Sequence, residues 1–237
     1  MEVGQSGRRI AVIPARGGSK RIPRKNIMDF MGKPMIAWSI EAALQSNAID
    51  EVFVSTDDLE IAELAKDWGA SVPFLRKQYA DDHSPVSLAT LEFVERLGID
   101  FELNCVVQLM ANCPLRRAET INKAIRFFES DASRSSVISA MPYGMFNPWW
   151  AHQCDDEGHG TPLFKAHISN ARSQDLTKLM CPTGSIWIST GTNLKNSQSF
   201  YSKNYRLFDV GWKEGVDIDD FEDLEFAKSV FQLEKNR

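Results

Sequence analysis

A loop near the start of the chain combines glycines and cations directly after a predicted strand. The apolar run from Ile10 to Ile13 is typical of a buried strand, and Pro14 ends it because proline has no N–H to donate to a ladder. The polar and glycine residues that follow, here called the basic loop, are Arg16, Gly17, Gly18, Ser19, Lys20, Arg21, Arg24, Lys25 and Asn26. Glycines let backbone N–H groups approach a phosphate closely, and the cations neutralise it. The loop is therefore predicted to bind an anion rather than to be merely solvated, since α/β folds bind ligands where strands end.

A second group of chemically useful residues lies near the end of the chain, in residues 215–220, here called the acidic segment. Alternation along an extended backbone puts Asp217 and Asp219 on one face, separated by the apolar Ile218. Two carboxylates on one face repel each other, and a hard cation such as Mg²⁺ relieves that repulsion. Helix capping is the competing explanation, but Asp220 alone satisfies it. The segment therefore predicts a magnesium site formed by Asp217 and Asp219.

Composition limits the classes of function that these residues can serve. A chain of 237 residues with 43% hydrophobic residues is long enough for one domain with a sizeable core. Its net charge of −5 argues against a general nucleic-acid binder. Its four widely spaced cysteines argue against a zinc site or a disulfide framework. No signal peptide or long apolar run is visible, which predicts a cytoplasmic protein that does not engage a membrane.

The alternation of strand and helix patterns predicts the fold that positions both groups. Strands are expected over residues 10–13, 51–56, 71–75, 103–110 and 136–141, and helices over residues 35–46, 59–68, 87–97, 119–129 and 221–231. This order is typical of an α/β fold: a Rossmann-like three-layer α/β/α sandwich with a mostly parallel sheet. Residues 1–8 are expected to be a flexible leader, residues 9–140 and 183–237 the core, and residues 141–182 a small β-rich insert, here called the insert.

Longer motifs add a resemblance to a known family. The sequence A-R-G-G-S-K-R-I-P-R-K-N, which ends at Asn26, resembles the nucleotide-binding loop of the acylneuraminate cytidylyltransferases. R-S-Q-D-L at residues 172–176 is similar to the pseudaminic acid enzymes, and P-T-G-S-I-W-I at residues 182–188 to the sialic acid enzymes. The resemblance implies a nucleotidyltransferase that makes a CMP-sugar and pyrophosphate from CTP and a nonulosonic acid, with Mg²⁺. It also implies a homodimer formed through the insert.

The resemblance assigns roles to particular positions. Residues implied to bind the nucleotide are Ala15, Arg16, Gly17, Ser19, Lys25, Asn26, Arg76 and Asp82. Those implied to be catalytic are Arg16, Lys25 and Asp219, those implied to hold the metal are Asp217 and Asp219, and candidates for the sugar are Gln108, Arg172 and Gln174. The chain departs from the sialic acid pattern at two positions, because Met110 stands where that family has Gln and Cys181 where it often has Arg. We therefore expect N-acetylneuraminic acid not to be the best substrate.

Three alternatives remain open from the sequence. The first is a cytidylyltransferase for 3-deoxy-manno-octulosonate, although those enzymes lack the G-G-S-K-R-I-P-R-K-N run. The second is a catalytically silent sugar or nucleotide binder, which the changes at Met110 and Cys181 permit. The third is a dinucleotide-dependent oxidoreductase, which the absence of G-x-G-x-x-G from the basic loop disfavours.

Overall fold

The computed structural model of the chain describes residues 7–81, 83–98, 100–102, 104–164, 172 and 175–235. Ten strands are found in these ranges: β1 (Arg9–Pro14), β2 (Asp29–Phe30), β3 (Lys33–Pro34), β4 (Glu51–Ser55), β5 (Cys105–Gln108), β6 (Val137–Pro142), β7 (His152–Cys154), β8 (Gly160–Pro162), β9 (Met180–Thr190) and β10 (Arg206–Asp209). The α-helices in the same ranges are α1 (Met35–Leu44), α2 (Leu59–Asp67), α3 (Val86–Leu97), α4 (Ala118–Glu129), α5 (Gly191–Ser197), α6 (Gly211–Glu214) and α7 (Phe221–Lys235).

One six-stranded sheet organises the molecule, with strand order β10-β6-β9-β5-β1-β4. The strand β1 runs parallel to both β4 and β5, and β10 runs parallel to β6. The exception is β9, which lies antiparallel to both of its neighbours, β5 and β6. The sheet is therefore mostly parallel, as predicted, and the carboxyl ends of β1, β4 and β5 meet at one edge, where parallel sheets bind ligands.

The apolar run of β1 shows why helices cover both faces of the sheet. Its residues are fully buried, as expected for a strand of a parallel sheet that is covered on two sides. Ala11 and Ile13 pack with the apolar residues of α1, α2 and α4, whereas Ile10 and Val12 pack with those of α3 and α5. The three layers that the sequence predicts are therefore present.

A third apolar cluster fixes the acidic segment beside the sheet. Val216 and Ile218 are buried with Phe30, Met35 and the inner residues of α7. Since alternate residues of an extended segment point in opposite directions, this burial turns Asp217 and Asp219 away from the cluster. The apolar partners of the segment therefore aim its two carboxylates.

One expectation about the strands needs correction. Residues 71–75 do not form a third strand, because pairing is limited to a single bridge between Phe53 and Ser71. Pro73 has no N–H with which to continue the ladder. In addition, the motif at residues 182–188 lies within the long strand β9, whose antiparallel direction the sequence pattern did not reveal.

The insert leaves the core between two neighbouring strands of the sheet. Met141 pairs with Cys181 and Pro142 with Met180, so the described parts of the insert begin and end at adjacent positions of β6 and β9. Within it, β7 and β8 form an antiparallel hairpin. Among the described residues, no helix is long and apolar enough to cross a membrane.

Candidate active site

A cavity of about 490 Å³ opens at the carboxyl edge of the sheet. Pro14 at the end of β1 lines it, as do Met110 and Asn112 just beyond β5. Its other lining residues are Arg16, Ser19, Lys20, Arg21, Ile22, Lys25, Asn26, Arg76, Tyr79, Asp81, Ser84, Val86, Ala89, Asp217 and Asp219. The structure thus brings the basic loop and the acidic segment, which are separated by most of the chain, to one cavity.

The basic loop is tied back to the sheet by its own polar groups. The Ala15 N–H donates to the Ser55 carbonyl at 2.9 Å, and the Gly17 N–H donates to Oδ1 of Asp57 at 3.1 Å. The buried Asn26 side chain donates through Nδ2 to the Arg16 carbonyl at 2.9 Å. These bonds bring both ends of the loop close together, so that the side chains between them border the cavity.

Gly17 is needed because the Asp58 side chain lies very close. A Cβ atom added to Gly17 would lie 2.5 Å from Oδ2 of Asp58, too close for any other residue without movement. Asp58 cannot move freely, because its Oδ1 accepts the Ile61 N–H at 3.0 Å as the N-cap of α2. The close approach therefore explains why glycine occupies this position.

Adjacent cations of the basic loop have different partners. Arg24 adopts a left-handed backbone conformation, with φ of 56°, and its guanidinium binds Asp58 and Glu60 at the start of α2. Lys25 instead extends to the cavity, where its Nζ lies 2.7 Å from the Ile218 carbonyl and 2.9 Å from Oδ1 of Asp219. Arg24 therefore anchors the loop, and Lys25 contributes its charge to the site.

The two carboxylates of the acidic segment have different electrostatic environments. Asp219 binds Lys25 through Oδ1 and Arg21 through Oδ2, at 2.9 Å and 2.8 Å. Burial opposes ionisation of Asp219, but its hydrogen bonds and ion pairs with Lys25 and Arg21 outweigh burial and lower its pKa. Asp217 is more buried, and burial together with the charge of Asp219 raises its pKa to about 6.

Asn112 connects the loop after β5 to the acidic segment. Its Nδ2 contacts Oδ1 of Asp217 and lies 2.9 Å from the Ile218 carbonyl and 3.4 Å from Oδ1 of Asp219. The Cys113 thiol lies 3.8 Å from the same oxygen of Asp217. The Asp217 carboxylate is therefore held by side chains from the far end of β5.

Gly184 of β9 borders the same carboxylate. A Cβ atom at this position would lie 2.9 Å from Cγ of Met110 and 3.2 Å from Oδ2 of Asp217. The absence of a side chain therefore leaves room for both residues at this end of the cavity.

Arg76 lies beneath the cavity with unused hydrogen-bonding capacity. The side chain is 5% exposed, and its Nη1 donates weakly to the Ser55 carbonyl and hydroxyl, at 3.3 and 3.4 Å. Its Nη2 lies 3.9 Å from Oδ1 of Asp57, and its Nε has no hydrogen-bond partner among the described residues. Burial lowers the pKa of Arg76, a sign that its charge is poorly compensated. A ligand that accepts hydrogen bonds would satisfy this guanidinium.

The two predicted sugar-binding residues that the structure describes, Gln108 and Arg172, do not line the cavity. Gln108 is fully buried on the α3 side of the sheet, where it accepts a hydrogen bond from the Thr90 hydroxyl at 2.7 Å, and it does not line the cavity. Arg172 is exposed, and its carbonyl accepts a hydrogen bond from the Asp175 N–H at 2.9 Å. Gln174, like the nucleotide candidate Asp82, lies outside the described residues.

Several cavity residues were assigned no individual role from the sequence. Arg21, Tyr79, Asp81 and Asn112 all line the cavity. Arg21 had a usable signal, since it belongs to the same run of cations, and Asn112 is a polar residue directly after a strand end. The sequence offered no comparable signal for Tyr79.

The acidic segment fits a hard divalent cation. Asp217 and Asp219 supply two carboxylates at the cavity, and the raised pKa of Asp217 shows that its negative charge lacks full compensation. No cluster of three or more His, Cys, Asp or Glu side chains suited to a metal occurs in the described part of the chain. Such a sparse set is what Mg²⁺ uses when water and substrate phosphates complete its coordination.

Two solved structures share the fold of this chain. CMP:2-keto-3-deoxy-manno-octonic acid synthetase complexed with CTP matches with a TM-score of 0.72 at 22% identity, over 96% of this chain and 99% of that chain. 4-Diphosphocytidyl-2C-methyl-D-erythritol synthase from Anaerococcus prevotii matches with a TM-score of 0.65 at 14% identity, over 96% and 97% of the two chains. The predicted α/β class is thereby confirmed.

The chain belongs to the cytidylyltransferase family, whose model matches residues 10–149. It is 34% identical to pseudaminic acid cytidylyltransferase of Campylobacter jejuni, over 94% of this chain and 96% of the relative. It is 35% identical to CMP-N,N'-diacetyllegionaminic acid synthase of Legionella pneumophila over the same shares. It is also 30% identical to N-acylneuraminate cytidylyltransferase of Streptococcus agalactiae, over 91% of this chain and 51% of the relative. The predicted resemblance and the prediction of a nucleotidyltransferase enzyme are confirmed.

Proposed function

We propose that the enzyme transfers CMP from CTP to a nonulosonic acid and releases pyrophosphate. The observation that carries this proposal is one cavity of about 490 Å³ bordered by the basic loop and by Asp217 and Asp219. The cations of the basic loop suit a triphosphate, and the carboxylates of the acidic segment suit the metal ion that accompanies it. The relatives named for pseudaminic and diacetyllegionaminic acids match nearly end to end, which supports the choice of acceptor.

In the proposed reaction, the anomeric hydroxyl oxygen of the sugar attacks the α-phosphorus of CTP. The new bond joins that oxygen to phosphorus, the bond from the α-phosphorus to the bridging oxygen breaks, and pyrophosphate leaves as the hydroxyl proton is released. Such a reaction depends mainly on positioning and on neutralising phosphate charge. Lys25 and Arg21 already border the cavity and would exchange part of their pairing with Asp219 for phosphate oxygens. Arg16, Ser19 and the loop backbone would complete the triphosphate site.

The metal in this proposal is Mg²⁺, held by Asp217 and Asp219. When bound, Mg²⁺ neutralises phosphate oxygens and lowers the pKa of a coordinated hydroxyl. Arg76 would contribute from beneath the cavity, because its guanidinium stays charged and its buried Nε–H donor has no partner among the described residues. Asn26 would hold the basic loop in the conformation that faces the nucleotide, through its hydrogen bond to the Arg16 carbonyl.

The cavity wall near the carboxylates supports an acceptor other than N-acetylneuraminic acid. Met110 lines the cavity, and its thioether cannot make the hydrogen bonds that a glutamine offers. A polar group of the sugar that is buried against Met110 would lose about 1–3 kcal/mol of binding free energy. Gln108 does not replace the missing amide, since it is buried against Thr90. A sugar acid with an apolar group at this position would fit better.

A pyrophosphate-release assay tests the proposed reaction and ranks the acceptors. CTP would be supplied with N-acetylneuraminic, pseudaminic or legionaminic acid or with 3-deoxy-manno-octulosonate, and UTP and ATP would serve as controls. We expect release with CTP, and a kcat/KM at least tenfold higher for another nonulosonic acid than for N-acetylneuraminic acid, a ratio of about 1.4 kcal/mol. Release with 3-deoxy-manno-octulosonate alone would favour the alternative acceptor class. No release with any acid would support a silent binder.

We also propose that the enzyme works as a cytoplasmic homodimer and that its product is an activated donor for surface polysaccharide synthesis. Met145 and Phe146 of the insert are 87% and 80% exposed, and Leu163 is 58% exposed. Apolar side chains exposed together favour a partner surface. The four cysteines are free thiols, in keeping with a reducing compartment.

Sedimentation analysis tests the oligomeric state. The unmodified chain should sediment as a dimer, and Phe146→Ser should shift it towards the monomer. Leu233→Ser, which changes a similarly exposed apolar residue of α7, is the matched control and should leave the dimer intact. A monomeric wild-type chain would contradict the homodimer.

A further inference from the structure

We infer that Asn112 is a positioning residue that holds the Asp217 and Asp219 carboxylates in the arrangement needed to accept a divalent cation. The inference deepens the proposed function and rests on it, since it assigns a task within the same cavity. Asn112 is only 5% exposed and lies in the loop that follows β5, on the border of the cavity. Its position allows it to reach the acidic segment from the sheet.

The contacts of the Asn112 amide fix its orientation. Nδ2 faces Oδ1 of Asp217, the Ile218 carbonyl at 2.9 Å and Oδ1 of Asp219 at 3.4 Å. All three neighbours are hydrogen-bond acceptors, so the donor nitrogen must face them rather than the amide oxygen. One NH₂ group therefore lies among two carboxylates and the peptide carbonyl between them.

Asp217 depends on this amide more than Asp219 does. Asp219 has Lys25 and Arg21 as charged partners. Among the described residues, the other side chain bonded to Asp217 is the Cys113 thiol, a weak donor at 3.8 Å. Without the Asn112 amide, the Asp217 carboxylate would lose its main donor and could rotate away from Asp219, which repels it.

Backbone and apolar contacts hold the acidic segment in place independently of the Asn112 side chain. The Ile218 N–H donates to the Asn112 carbonyl at 3.0 Å, a bond that remains whatever side chain stands at position 112. Val216 and Ile218 stay anchored in their apolar cluster as well. A change of the Asn112 side chain should therefore disturb the carboxylates while the acidic segment keeps its place.

Mn²⁺ binding and steady-state kinetics of the full chain test the inference. Asn112→Ala removes both donor hydrogens, and Asn112→Ser retains one hydroxyl donor. Mn²⁺ affinity measured by electron paramagnetic resonance should fall at least fivefold in Asn112→Ala and less in Asn112→Ser. At saturating Mg²⁺, kcat should fall about tenfold in Asn112→Ala, whereas KM for CTP should change less than twofold.

The matched control is Asn122→Ala on α4, because Asn122 bonds Ser46 and Ala48 and does not line the cavity. It should leave Mn²⁺ affinity and kcat unchanged. Folded Asn112→Ala and Asn112→Ser variants that match the wild type in both quantities would overturn the inference, even if the wild type makes a CMP-sugar. A wild type that binds Mn²⁺ more tightly than Asn112→Ala but releases no pyrophosphate would support the positioning role and overturn the proposed function instead.

Discussion

The basic loop and the acidic segment form two adjoining walls of one cavity but are built in different ways. Arg21 on the basic wall keeps 63% of its side chain exposed, and its partner Asp219 keeps 42%. On the acidic wall, Asp217 is enclosed by Asn112 and the buried Cys113, and burial raises its pKa to about 6. Two aspartates that are two residues apart therefore belong to different electrostatic environments.

The exposed charges of Arg21 and Asp219 are screened by solvent, whereas the buried charge of Asp217 depends on hydrogen bonds from the protein. Exposed ion pairs such as Arg21–Asp219 contribute about 0–1 kcal/mol to stability and can exchange partners easily. A buried carboxylate keeps its position only through hydrogen bonds, and it resists ionisation until a cation arrives. The exposed wall can adapt to the triphosphate, whereas the buried wall holds a fixed site for the metal.

The largest expected effect comes from removing the charge of Asp219, which belongs to the acidic segment and pairs with Arg21 and Lys25 of the basic loop. Asp219→Asn should lower turnover at least 100-fold, about 2.7 kcal/mol in transition-state free energy, because Asp219 is a proposed metal ligand. The fold should survive, since Asp219 is half exposed. Pyrophosphate release over a range of Mg²⁺ concentrations checks turnover, and circular dichroism checks the fold. Near-normal Mg²⁺-dependent activity would show that the metal lies elsewhere.

The next largest effect concerns the contribution of the buried Asp217 carboxylate to the free energy of unfolding in the absence of metal. A folded-state pKa of about 6, above the usual 3.8, means that folding disfavours the ionised Asp217 carboxylate. The resulting destabilisation is complete above pH 6, at up to about 3 kcal/mol, and disappears below the unfolded pKa. Asp217→Asn should therefore raise the free energy of unfolding of the metal-free protein at pH 7.5, and the gain should vanish near pH 3.5.

Urea unfolding of the metal-free wild type and Asp217→Asn at both pH values measures this difference. Asp219→Asn is the control, because the pKa of Asp219 is lowered and its carboxylate contributes stability above the unfolded pKa. That variant should lose stability at pH 7.5. If Asp217→Asn and Asp219→Asn changed the free energy of unfolding equally, the two carboxylates would not occupy different electrostatic environments.

A tenfold effect on CTP affinity is expected from Lys25 of the basic loop, and a much smaller one from its neighbour Arg24. Lys25→Ala should weaken CTP binding about tenfold, since Lys25 reaches the cavity. Arg24→Ala should leave CTP affinity within about twofold but lower the melting temperature, because Arg24 anchors the loop to α2. Calorimetric titration with CTP checks affinity for both variants. Equal loss of affinity would mean that the loop acts as a diffuse patch of charge.

The smallest effect is expected beside the acidic wall, at Asp220. Its Oδ1 accepts the N–H groups of Glu222 and Asp223, each at 3.0 Å, so it caps α7. Asp220→Ala should lower the free energy of unfolding by about 1 kcal/mol, the usual effect of losing a cap. Turnover of the folded variant should stay close to that of the wild type. A large loss of turnover would mean that Asp220, too, belongs to the site.

Local patterns predicted most of the framework. Apolar runs and helical periodicity located β1, α1, α2, α3, α4 and α7 to within a few residues. The capping role of Asp220 was also predictable, because a cap depends on the residues directly around it. Residues 71–75 were assigned a strand, although Pro73 already signalled that the ladder would stop.

By itself, the sequence determined the α/β class, the family resemblance and the presence of a basic loop and an acidic pair. Only the tertiary structure decided which side chains share the cavity. It separated Lys25 from Arg24, buried Gln108 against Thr90 and placed Asn112 between the two aspartates. The physical reason is that hydrogen-bond partners and burial at these positions come from residues far away in the chain, which no local pattern encodes.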